Sequence, residues 1–166
     1  MNPVDEIDEL ANQRSGLSDG EVLAELAALP PLPDEDDPAW DDLEFWQRIA
    51  NPYLALERVA AKRRLRGAIR LLLDRACYGD PYEIMRGLGH SLEAIMKPDA
   101  RGLGDLCMEA ARGDRRGTVL WALDELGRLR DERARPLMLM LAHSPHARLR
   151  DEALVGLERL GDRDPS

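Results

Sequence analysis

Ala122-Leu-Asp-Glu-Leu-Gly-Arg-Leu-Arg-Asp131 and Ala153-Leu-Val-Gly-Leu-Glu-Arg-Leu-Gly-Asp162 are one helical phrase written twice, 31 residues apart. Ala122, Leu123, Leu126, Leu129 and Asp131 recur as Ala153, Leu154, Leu157, Leu160 and Asp162. Spacings of three and four put the apolar members on one face of a helix. Between the copies, Glu132–Ala142 carries a shorter and more apolar helix. A period of roughly 30 residues built from two helices predicts units that cannot bury their apolar faces alone and therefore stack.

Working outward, proline marks the helix starts. Asn2-Pro3, Asp37-Pro38, Asn51-Pro52, Asp80-Pro81 and Ser144-Pro145 each place a side-chain oxygen before a residue that needs no N–H. Ser18 and Glu21 have the spacing of a capping box. These signals predict helices near 3–14, 19–29, 38–50, 52–78, 81–96, 100–112, 115–129, 133–142 and 146–160. The long 52–78 stretch is expected to bend near Arg66-Gly67. Pro30-Pro-Leu-Pro33 ends the second helix and opens an extended linker. Leu92 and Ile95 precede Leu123 and Leu126 by the same 31 residues, which predicts a third unit over about 81–112, although Pro98 stands where the period calls for leucine.

Composition agrees with packed helices. The 166 residues suit one domain, and 44% are hydrophobic but only 4% aromatic. The core must then be mostly Leu, Ala, Ile, Val and Met, which fits helices better than sheets. No apolar run approaches the 18 or so residues of a membrane span, and no leader pattern opens the chain. Cys77 and Cys107 are too few for a disulfide framework, so a reducing cytoplasmic setting is expected.

The segment Pro136–Gly161 resembles a HEAT repeat of the short kind found in phycobilin-lyase-like bacterial proteins. The resemblance rests on the apolar first helix, the Leu149-Arg150 pair opening the second, the Ala153-Leu154 step and the closing Leu160-Gly161-Asp162. It implies an all-α fold, a short α-solenoid of stacked antiparallel helix pairs. Residues 51–166 would form the HEAT-like domain, with residues 1–50 as an acidic helical cap or arm. The middle unit departs from the pattern: Thr118-Val119 replaces Leu149-Arg150, removing the arginine that in such units reaches toward a neighbouring acidic turn.

Charge is unevenly placed. Residues 1–57 hold fifteen Asp/Glu against two Arg, a net of −13, while residues 58–166 carry +4, giving −9 for the chain. Net acidity argues against non-specific nucleic-acid binding, which runs on phosphate neutralisation. Two stretches invite a partner. Asp34, Glu35, Asp36, Asp37, Trp40, Asp41 and Asp42 combine carboxylates with an aromatic, a composition that suits a basic partner, or else form a solvated linker whose Trp40, Leu43 and Trp46 dock on the stack. Arg58, Lys62, Arg66 and Arg70, flanked by Arg63, Arg64 and Arg75, form a cationic helix ridge that either binds phosphate or pairs with the acidic N-terminal third.

Catalytic chemistry finds no footing. His143-x-x-His146 straddles a Ser-Pro helix start, a poor setting for metal ligands, and Gly87-Leu-Gly89 and Gly102-Leu-Gly104 suit close helix packing better than a phosphate loop. No nucleophile elbow or Cys/His pair is present. The expectation is a non-catalytic, cytoplasmic protein-binding module with no cofactor, acting on a basic-surfaced partner as a toxin-neutralising immunity protein or an adaptor. The alternatives are a phycobilin-lyase-like chromophore lyase or chaperone, implied by the resemblance, and a HEAT-like nucleic-acid binder using the Arg58–Arg75 ridge.

Overall fold

The computed structural model describes residues 3–33, 37–76, 86–97 and 99–161, and its regular elements are helices, with no strand among the described residues. The all-α expectation therefore holds. The chain divides into two compact units, Met1–Asp99 and Ala100–Ser166. Residues 50 and 51, where the sequence divides the arm from the repeat domain, lie in one continuous helical run of the first unit.

In the first unit, α1 (Pro3–Arg14) and α2 (Asp19–Ala28) lie against a central helix, α4 (Asn51–Arg63). Ser18 caps α2 in the expected capping box with Glu21. The expected single helix over 38–50 is broken. Asp37 caps a 3-10 turn at Pro38–Asp41, and Asp42 caps the short α3 (Leu43–Phe45). A second Asx cap five residues after the first is what interrupts the helix, because a cap residue takes extended backbone; Asp42 has φ −94° and ψ 119°. From α3 the chain passes through a π-turn, Trp46–Ala50, into α4. Asn51 is thus helical rather than a cap, and its buried Oδ1 has no hydrogen-bond partner.

α4 is buried almost all round: Tyr53, Ala55, Leu56, Val59 and Ala60 are interior, as befits a helix enclosed by α1, α2 and α6. The bend expected near Arg66-Gly67 occurs at Arg64, which takes the left-handed conformation (φ 54°), while Leu65 N–H bonds Ala60 C=O as in a Schellman close. Gly67 has ordinary helical angles; its role is space, since a Cβ there would lie 3.2 Å from Leu23 Cδ1 of α2. α5 (Ala68–Arg75) packs on α2, and α6 (Arg86–Met96) on α4. Residues 81–85 of the expected helix 81–96, together with Asn2, Asp80-Pro81, Cys77 and Pro98, lie outside the described residues.

In the second unit, α8 (Arg116–Arg128) is the enclosed helix, packed on α7 (Ala100–Ala110) and on α10 (Ala147–Gly161), which in turn packs on α9 (Arg135–Leu141). Arg116 meets His146 at one end of the α8–α10 seam, 30 residues apart, and Gly127 meets Gly156 farther along. The two helices therefore run the same way with an offset near the sequence period. Both glycines are needed for this approach. A Cβ on Gly127 would lie 3.3 Å from Gly156 Cα, and one on Gly156 would lie 2.7 Å from Met138 Cε of α9. Gly104 likewise leaves room for the α8–α9 turn, because a Cβ there would lie 2.6 Å from Asp131 Oδ2. Close helix packing is thus the role of this glycine.

The repeat-related positions share environments only in part. Ala122 and Ala153 are both fully buried, but Leu123 is fully buried while Leu154 is 46% exposed. α10 covers one side of α8, whereas among the described residues no helix covers the corresponding side of α10.

Candidate protein-interaction surfaces

The acidic segment folds into a hook. Trp40 and Phe45 stack edge to face with ring centroids 5.0 Å apart, Trp46 joins them at 5.7 Å from Trp40, and Trp46 Nε1 donates to the Trp40 carbonyl at 2.8 Å. Trp40 is only 2% exposed, so it is an anchor for the hook and not a residue facing a partner. The apolar side chain turned outward is Leu43, 69% exposed, with Asp41, Asp42 and Glu44 exposed beside it. Asp37 and Asp42 are exposed too, each with a carboxylate oxygen occupied in capping, from Ala39 N–H and Glu44 N–H, both at 2.9 Å. Asp34, Glu35 and Asp36 lie outside the described residues.

The cationic ridge is largely turned to internal use. Arg58 pairs with Asp8 of α1. Arg63 reaches Asp19 at 3.0 Å and the carbonyls of Ser15 and Leu17 at 2.9 and 2.7 Å, clasping the α1–α2 turn. Arg75 bonds the carbonyls of Leu29 and Ala27 at the end of α2, where helix carbonyls lack partners. Arg70 pairs with Asp74 along its own helix, and Lys62 and Arg66 are exposed. The sequence alternative in which the ridge holds the acidic N-terminal helices in place is what these contacts show for Arg58, Arg63 and Arg75. Arg63, the most engaged of them, sits beside the every-fourth-residue stripe and not on it.

Elsewhere the ion pairs tie helices together. Arg159 of α10 bonds the Asp124 side chain of α8 at 2.6 Å, and Arg133 joins Asp131 (2.6 Å) to Asp105 of α7 (2.5 Å). The Arg133 hydrogen bonds hold the Asp131 carboxyl below its ordinary range. Cys107 is buried, and desolvation, reinforced by Glu125, pushes its thiol up to about 12, which keeps it protonated and unreactive.

Glu57, which sequence reasoning passed over, is fully buried where α4 meets α6. Burial pushes its carboxyl up to about 7 against the opposing effects of a Ser91 hydrogen bond and the Arg58 charge, and its Oε2 has no hydrogen-bond partner. Nothing in the α4 sequence, where it is the one acidic residue and is followed directly by Arg58, marks it as interior. His143 and His146 are exposed at the α9–α10 turn, and among the described residues no group of three His, Cys, Asp or Glu side chains is placed to hold a metal ion. No described helix is long and apolar enough to cross a membrane. Comparison with protein-family models, curated proteins and solved structures gave no match.

Proposed function

We propose that the protein is a non-catalytic protein-binding module, a short HEAT-like stack of helix pairs that meets a basic-surfaced partner through its acidic N-terminal region. The observation that carries this reading is the unspent acidity of the hook. The ridge takes Asp8 and Asp19, and Glu44 pairs with Arg48 of the hook itself at 3.0 Å, yet Asp37, Asp41, Asp42 and Glu44 all stay exposed around the protruding Leu43. Carboxylates arranged this way steer a cationic partner and set its orientation, while an exposed leucine on a braced hook supplies apolar contact. Neutralising a cationic toxin in the cytoplasm, as an immunity protein does, is the specific form that such a field suits, with an adaptor role as the broader one. The parallel α8–α10 seam, offset close to the 31-residue period, supports the stacked reading.

The test is a triple neutralisation, Asp41→Asn, Asp42→Asn and Glu44→Gln, in which the asparagine retains the cap at 42. Wild-type protein should retain a basic partner from its native host at low salt and release it in about 0.5 M salt, where charges are screened within a few ångströms. The variant should fail to retain that same partner. Equal retention by both proteins, or the lack of any salt-sensitive partner, removes the proposal.

A further inference from the structure

The second unit carries a groove of about 490 Å³ between the α7–α8 turn and the α9–α10 turn. Its apolar wall is formed by Val119, Leu137, Met140 and Leu149, and Met140 is 62% exposed. Arg112, Arg116 and His146 also line it, against Asp114. Arg116 Nη1 lies 3.3 Å from His146 Nε2, so with that nitrogen accepting, the imidazole helps to hold the guanidinium at the groove. The volume falls within the range of roughly 300–1,000 Å³ typical of binding clefts.

The polarity of this groove is opposite to that of the acidic hook. An apolar floor rewards buried hydrocarbon, methionine adapts its shape to different side chains, and guanidinium groups pair two-pronged with carboxylates. We propose that the groove is a docking site for an acidic, leucine-rich peptide segment of a partner protein. Its apolar side chains would lie against Met140, Leu137, Val119 and Leu149, and its carboxylates would meet Arg112 and Arg116. A cationic segment would bring like charges to the same edge and is disfavoured. The site does not depend on the hook, so the two can fail separately.

The probe is a fluorescein-labelled ten-residue peptide of alternating glutamate and leucine, titrated with the full chain and read by anisotropy. Two controls replace its leucines by serine or its glutamates by lysine. Saturable binding is expected for the parent peptide, at least about tenfold weaker for each control, and at least about tenfold weaker to Met140→Asp and to Arg112→Glu/Arg116→Glu. Both substitutions are at exposed positions, and circular dichroism melts verify that the variants fold. If a variant does not fold, shifts of the Met140 methyl resonance on adding peptide to wild-type protein replace it. An unmoved methyl, serine-control binding equal to the parent, or unchanged affinity in the folded variants overturns the proposal. So does sedimentation showing a dimer that Met140→Asp dissolves, because the groove would then belong to a second copy.

Discussion

α4 and α8 occupy the same place in their respective units and solve one problem differently. Each is enclosed by neighbours, each is followed within two residues by an arginine in the left-handed conformation (Arg64, φ 54°; Arg130, φ 51°), and each buries a glutamate. In α8 the buried Glu125 accepts from Arg128 Nε one turn later at 2.8 Å. In α4 the buried Glu57 has Ser91 and the field of Arg58, with Oε2 unpartnered. A buried carboxylate with its own guanidinium can stay ionised, whereas one without it keeps its proton until near neutral pH. The comparison makes Glu57 the group that links the first unit's stability to pH below neutrality.

The largest expected effect follows from Glu57. Its folded value, about 7, lies above the ordinary 4.5, so its contribution is fully favourable below 4.5 and is lost as pH rises from 4.5 to 7. The shift corresponds to a loss on the order of 3 kcal/mol, level again above pH 7. Urea unfolding between pH 5 and 8, read by amide exchange in α4, should show this decline, and Glu57→Gln should abolish it. A flat wild-type profile would place Glu57 in a wetter environment than its burial indicates.

A smaller effect is expected from breaking the α8 pair. Arg128→Ala leaves Glu125 buried without its guanidinium, but the arginine side chain is 39% exposed, so the cost is discounted to about 1–2 kcal/mol. Chemical denaturation followed by Trp121 fluorescence measures it, and a companion Glu125→Gln should recover part of the loss. If Arg128→Ala costs nothing, the contrast between the two helices disappears.

The smallest effects are at the helix ends. Arg64→Gly relieves a left-handed residue and should stabilise by about 0.5–1 kcal/mol, because glycine takes that conformation without Cβ crowding. Arg130→Gly should gain less, since Arg130 has further interactions to lose. Equal thermal shifts in the two variants would show that backbone conformation alone governs both ends.

The hook shows where reading one dimension stops. Trp40, Leu43 and Trp46 have helical spacing, yet two Asx caps five residues apart break the helix, so Trp40 turns inward and Leu43 outward. The ridge shows the same limit. Its cations were legible, but which of them hold α1 and α2 depended on where the α1–α2 turn lay. The groove of the second unit was not legible, because its walls come from turns 30 residues apart in the chain.

By itself the sequence determined part of the local order: the start of α2 from its capping box, the turn opened at Asp37-Pro38, helix faces from apolar spacing, and the 31-residue echo between α8 and α10. These signals act over one or two turns, and neighbouring residues suffice to satisfy them. Only the tertiary structure decided which glycines stand at helix crossings, which glutamate lost its solvent, and why Leu123 is covered while Leu154 is exposed. Burial and charge pairing depend on what arrives from elsewhere in the chain, and the same residue type takes either fate according to whether a neighbouring helix lies over it.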